Sequence, residues 1–172
     1  MEFKEIYKKV YFSREDKRRR SMNFIFFLQG IPETIGVIAL SLAFARIQLR
    51  WGPIIAAGTV ISITGSIIRA LPITLGIHTI ATLLLCVLFV TKATRISPAK
   101  GFIAITASVA VLLFLEMIIH LCLVNSIGLN LQTISHDSLL WTLIGLPQAV
   151  ILFILALVIS RVKTPALGGW KI

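Results

Sequence analysis

Charged residues are scarce in this sequence, and acidic ones are scarcest. Only 14% of the 172 residues are charged, and seven are Asp or Glu. Soluble domains carry roughly 25% charged residues. The two cysteines, Cys86 and Cys122, both lie in apolar runs, where we expect buried free thiols. The shortage of charge excludes an ordinary soluble enzyme, and the cysteine count excludes a disulfide-stapled domain or a cysteine-rich zinc site.

Apolar residues dominate instead. They make up 57% of the chain, and the mean hydropathy is +0.94. A soluble domain of this size leaves much of its surface in water and cannot bury so much apolar area. The sequence therefore predicts an all-α, polytopic integral membrane protein. Five apolar segments near the ~20 residues needed to span a bilayer are expected. They are 24–45, 52–68, 73–91, 101–125 and 139–160.

Three regions follow from this pattern: 1–23, a transmembrane domain over 24–160, and a short basic tail over 161–172. The first region places apolar residues at helical spacing from Phe3 to Tyr11, which predicts an amphipathic helix lying in the membrane interface. A basic cluster then precedes the first segment; its members are Lys17, Arg18, Arg19 and Arg20. Although the net charge is +10, this placement predicts anionic lipid as the partner rather than nucleic acid.

The distribution of basic residues leaves two orientations open for the first segment. Five full spans divide the 17 basic residues into nine on one side and eight on the other. If residues 24–45 instead form a re-entrant segment, all but Arg69 fall on one side. The basic cluster favours a cytoplasmic N-terminus in a cell membrane.

Two segments share a short Gly-Pro pattern. Gly30-Ile-Pro32-Glu33 lies in the first segment, and Gly145-Leu-Pro147-Gln148 lies in the fifth. Glycine and proline loosen a helix, so we expect helix breaks at Gly30, Pro32, Gly145 and Pro147. Paired interruptions of this kind can mark a binding site between structural halves, and a chance match is the alternative.

Ionisable residues inside apolar runs are costly and are often functional. Together with one buried amide they give a predicted polar cluster, either a binding site or a structural lock between helices. Its members are Glu33, Arg69, His78, Glu116, His120 and Gln148. Glu116 and His120 share one helical face and could relay a proton, but they lack a third ligand for a metal. We expect no metal, no cofactor and no catalytic residue.

Small residues and tryptophans add two further expectations. Gly58, Ser62 and Ser66 recur at four-residue spacing, which allows close approach of another helix, from this chain or from a partner. The three tryptophans, Trp51, Trp141 and Trp170, lie near segment ends or in the tail, as interface anchors do.

The stretch from Arg69 to Cys86 resembles part of the membrane cysteine peptidases that process quorum-sensing peptides. Arg69, Gly76-Ile77-His78 and Cys86 are similar to that family's Arg, Gly-x-His and Cys. The resemblance implies a thiol nucleophile and a histidine base. However, Cys86 follows His78 by one residue more than in that family's pattern. Eight residues on a helix separate two side chains by about 80° and roughly 12 Å.

A second resemblance covers most of the apolar region. Pro32-Glu33, the stretch from Arg69 to Thr79, and Glu116 late in the fourth segment are similar to the membrane input domains of some Firmicute sensor histidine kinases. This resemblance implies a non-enzymatic sensor or regulatory module. Because no kinase regions accompany it, the resemblance implies either action through a partner membrane or signalling protein or a stand-alone relative with another role. We expect such a partner or a homo-oligomer. A small oligomeric transporter, channel or transporter subunit is the alternative.

Overall fold

The computed structural model describes residues 29–70, 77–127, 138–162 and 169–171. These residues form an all-helical structure. Its five helices are α1 (Gln29–Phe44), α2 (Trp51–Ala70), α3 (Ile77–Ala93), α4 (Pro98–Ile127) and α5 (Ser138–Val162). The all-α prediction is confirmed for this part of the chain, and each helix overlaps one predicted segment.

Three of these helices are long and apolar enough to cross a membrane: the stretches Trp51–Arg69, Pro98–Ile119 and Gly145–Val162. Helix α3 and the described part of α1 are shorter apolar helices. Large apolar side chains stand exposed along α2, α4 and α5, among them Ile67, Phe114 and Ile154. Soluble proteins rarely expose so much contiguous apolar surface, so the helices indicate a membrane location.

Helix α1 lies in the centre of the bundle. Its residues 35–43 are all buried, and these nine positions cover more than two turns, so every face of the helix is covered. Ile38, Ala39, Leu40 and Leu42 have no exposed surface. A helix that is apolar on all sides lies either in a protein core or among lipid chains, and the burial of these residues places α1 in the core.

The other four helices all contribute to the buried apolar cluster that contains α1. Helix α2 packs on α3, α3 on α4, and α4 on α5. Trp51 of α2 also contacts Phe153 of α5, with ring centroids 6.0 Å apart, so the first and last of these four helices approach each other at this point. Short connections make consecutive helices antiparallel, so α1, α3 and α5 run in one direction and α2 and α4 in the other.

Small residues allow the outer helices to approach α1 closely. A Cβ on Gly58 of α2 would lie 3.0 Å from the Cα of Ile35, and a Cβ on Gly36 would lie 3.0 Å from the Cβ of Leu152 on α5. Gly58 and Ser62 therefore pack against α1 of the same chain, which answers the question that their spacing left open.

Helix α1 ends in a Schellman motif. The Ile47 amide donates to the Leu42 carbonyl at 2.9 Å, and the Arg46 amide donates to the Ala43 carbonyl at 3.1 Å. Arg46 occupies the left-handed position of the motif with a φ of 58°, where glycine is usual. Ile47 and Leu42 are both buried, as the apolar contact of this motif requires.

The tail returns to the same end of the bundle. Trp170 forms an isolated antiparallel bridge with Thr94, and its indole N–H donates to the Gln48 carbonyl at 2.7 Å. Two backbone hydrogen bonds flank it, from Arg95 to Gly169 at 2.9 Å and from Lys171 to Ala93 at 2.8 Å. We call this meeting of residues 46–50, 92–95 and 169–171 the tail junction. Trp170 is 9% exposed there, so it differs from the interface anchor that the sequence predicts.

Some predictions fall beyond these ranges. The interfacial helix over 1–23, the cluster Lys17, Arg18, Arg19 and Arg20, and residues 163–168 of the tail lie outside the described residues. Both cysteines are free thiols. Cys86 is buried, as predicted, whereas Cys122 is exposed, contrary to the prediction.

Candidate functional site: a polar layer between the helices

Glu33 lies within electrostatic range of charged residues on two other helices. The negative charge of Glu116 on α4 and the positive charge of Arg69 on α2 both act on the partly buried Glu33 carboxyl of α1. Glu33 and Glu116 are partly buried, whereas Arg69 is exposed. Groups of this kind must be neutral, paired or hydrated, because an isolated charge costs several kcal/mol in the membrane.

The two Gly-Pro segments lie against each other in this region. A Cβ on Gly145 of α5 would collide with the side-chain amide of Gln29 on α1. The Gln29 amide therefore packs directly against the glycine. The Gln29 Oε1 atom is buried and has no hydrogen-bond partner within the described residues. Since Gln29 precedes Glu33 by one turn on the same face of α1, this acceptor belongs to the same layer.

Gln148 joins α5 to α4 at the same depth. Its side chain is buried, and its Nε2 donates to the Leu112 carbonyl at 3.2 Å. Glu116 lies one turn beyond Leu112, and Gly145 lies almost one turn before Gln148. In antiparallel helices these steps lead in the same direction, so Glu116 and Gly145 are at a similar depth.

Arg69 and His78 lie beside each other on α2 and α3. The two helices touch where a Cβ on Gly65 would lie 2.8 Å from the Thr82 hydroxyl. Arg69 and His78 are each one turn beyond this contact, in the direction of residues 71–76. His78 is partly buried, and its carbonyl accepts a hydrogen bond from Thr82 at 2.8 Å.

Of the predicted cluster, Glu33, Arg69 and Glu116 are therefore linked by charge, Gln148 is at their depth, and His78 neighbours Arg69. His120 lies on α4, but its side chain falls outside the described residues. The cluster prediction omitted Gln29. Its four-residue spacing to Glu33 is the signal that could have identified it.

All four predicted break positions lie within helices. Gly30 and Pro32 are inside α1, and Gly145 and Pro147 are inside α5. Proline removes one backbone hydrogen bond from its helix without ending it here. Local loosening at these positions stays a prediction.

The residues that resemble a cysteine peptidase lie along one helix. His78 is in the first turn of α3, and Cys86 is buried two turns further on. Two helical turns correspond to roughly 11–12 Å along the axis. A general base must come within hydrogen-bond distance of its nucleophile, so this geometry gives no support to thiol catalysis.

Chemically, this layer can bind a ligand or a helix through charge and hydrogen bonds. It offers the carboxyl groups of Glu33 and Glu116 and the side-chain amides of Gln29 and Gln148, with the exposed Arg69 and with His78 at its edge. Comparisons with protein-family models, with curated proteins and with solved structures found no match to this chain.

Proposed function

We propose that this protein is a non-enzymatic membrane sensor or regulatory module, and that the polar layer is its input site. The single observation that supports this most is the electrostatic link of Glu33 to both Arg69 and Glu116 across three helices. Such a set of groups can bind a small ligand, an apolar ligand that carries a polar group, or the helix of a partner membrane protein.

Binding would act through the packing of α1 against α5. The Gln29 amide seated on Gly145 joins the two Gly-Pro segments directly. Gln29 and Glu33 are one turn apart on α1. A ligand that changes the position of Glu33 would therefore also move Gln29 against Gly145. A shift between two packings requires that the ligand has different affinities for them.

In this proposal the chain crosses the membrane five times, with a cytoplasmic N-terminus. The segment 1–23 lies in the interface, and Lys17, Arg18, Arg19 and Arg20 contact anionic lipid. The signal passes to a partner protein or to a second copy of the chain. The sequence resemblance to sensor-kinase input domains supports this reading.

Glu33→Gln tests the input site. We expect the variant to lose the small molecule or partner that the wild-type chain retains, because the amide keeps the shape of the carboxyl but removes its charge. Native mass spectrometry of both forms, gently extracted from their own membrane, measures this loss. Helical circular dichroism and the thermal midpoint should stay unchanged.

Thr34→Val is the matched control. It removes a polar group from the neighbouring position, but the Thr34 hydroxyl already donates to the Gly30 carbonyl of its own helix at 2.8 Å. The control should retain whatever the wild type retains. If Glu33→Gln keeps the same bound species, or if it only unfolds the protein, the carboxyl is a structural lock and the proposal fails.

A small proton-linked carrier, working as an oligomer, is the second candidate. It is favoured by the electrostatic link between two carboxyl groups, Glu33 and Glu116, inside apolar helices. Proteoliposomes should then show a flux that Glu116→Gln abolishes. A flux in wild-type proteoliposomes no greater than in protein-free liposomes, or an equal flux in wild-type and Glu116→Gln proteoliposomes, would reject this candidate.

A further inference from the structure

We propose that the tail junction is a binding site for the headgroup of an anionic phospholipid. This surface is at the opposite end of α1 from the polar layer, and the proposal does not depend on the function of that layer.

The first support is the charge of this end of the bundle. Arg46, Arg95 and Lys171 come from three distant parts of the sequence, and the hydrogen bonds of Trp170 and its neighbours bring their backbones together. All three side chains are exposed, as is that of Lys92. The sequence has no Asp or Glu between Glu33 and Glu116, and none after Asp137. The positive charge here therefore has no acidic side chain in these segments to balance it.

The second support is the depth of the junction. Helix α2 begins at Trp51, α3 ends at Ala93 and α4 begins at Pro98. A span of about 20 residues matches the ~30 Å hydrocarbon core, so its ends lie at headgroup level. The phosphates of a lipid are within reach of side chains at this level, whereas an acidic protein would have to approach from the aqueous phase.

The third support is the backbone of Arg46. A non-glycine residue in the left-handed region is destabilising, and glycine would fill this helix end without that cost. An arginine there keeps a charge two residues before Gln48, the acceptor of the Trp170 hydrogen bond, at the expense of local stability. Residues in unfavourable backbone conformations often have functional roles.

Titration of delipidated full-length protein with phosphatidylglycerol, followed by native mass spectrometry, tests the site. Phosphatidylcholine is the neutral comparison lipid. The N-terminal cluster would bind the same lipid, so all variants are made with Lys17, Arg18, Arg19 and Arg20 replaced by Gln. Arg46→Gly should lower the affinity for phosphatidylglycerol about fivefold, and adding Arg95→Gln should lower it about 25-fold.

The thermal stability of Arg46→Gly distinguishes a loss of lipid binding from a loss of folding. Its thermal midpoint should be equal to or higher than that of the background protein, because the left-handed cost is relieved. Arg46→Lys keeps the charge and should keep most of the affinity. Lys100→Gln is the matched control, since it removes one exposed charge of α4 outside the junction.

Equal losses in Lys100→Gln and Arg46→Gly would mean a diffuse attraction and would overturn the site. Unchanged affinity in the double variant would overturn it as well, and would leave an acidic protein as the partner for this surface. Displacement of the lipid by soluble glycerol phosphate at equal concentration would also contradict a lipid site.

Discussion

Replacing Trp170 with Ala is expected to lower the free energy of unfolding by about 3 kcal/mol, the lower end of the cost of truncating a buried aromatic side chain. The indole is buried between two connections of the bundle, and its N–H donates to Gln48. Removing it leaves a cavity and an unsatisfied carbonyl, and it weakens the attachment of the tail at the isolated bridge to Thr94. The measurement is unfolding in mixed detergent micelles, titrated with sodium dodecyl sulphate.

Two variants show which part of Trp170 matters. Trp170→Phe keeps the bulk of the ring but loses the hydrogen bond, so it should cost about 1 kcal/mol. Trp51→Ala is the control for tryptophan removal at a helix end. Trp51 is 37% exposed, although its ring contacts that of Phe153. A loss in Trp170→Ala no greater than in Trp51→Ala would contradict the role assigned to the tail junction.

Gly58→Ala is expected to lower the free energy of unfolding by about 2 kcal/mol, although alanine is the better helix former. The new methyl group would meet the side chain of Ile35 and lie 3.0 Å from its Cα. That backbone belongs to the central helix, which has buried residues on every side and therefore has no direction in which to move. The same detergent titration measures this loss.

Gly52→Ala is the matched control, since nothing lies within 4 Å of the position where its Cβ would be. It should be neutral or slightly stabilising. Combining Gly58→Ala with Ile35→Ala should recover part of the loss, because the shortened side chain leaves room for the methyl group. Strictly additive effects in this double-mutant cycle would show that the two residues do not touch.

Composition was enough to predict an all-helical membrane protein, because few other structures satisfy the backbone of so apolar a chain. It could not predict which helix is central. The apolar residues of α1 resemble those of α4, yet Ile38 has no exposed surface, whereas Ile103 is 66% exposed. Hydropathy measures the preference for leaving water, and both lipid and protein satisfy that preference equally.

The polar layer was partly predictable for a different reason. Glu33 and Glu116 stand out because carboxyl groups are expensive in apolar helices. The Gly-Pro match also led to a real contact, since Gln29 is seated on Gly145. The tail junction left no such signal: Trp170 sits in a short polar tail without periodicity, and its partners Gln48 and Thr94 are distant in sequence.

The encircled position of α1 has a consequence for biosynthesis. This helix leaves the ribosome before any of the four helices that cover it, and nascent chains begin to organise from the N-terminal end. Until α5 arrives, Glu33, Gln29 and the buried Ser41 face lipid or the insertion machinery rather than protein. We therefore expect α1 to integrate stably into the membrane only after the last helix has been released. Until then, we expect α1 to remain bound to the insertion machinery.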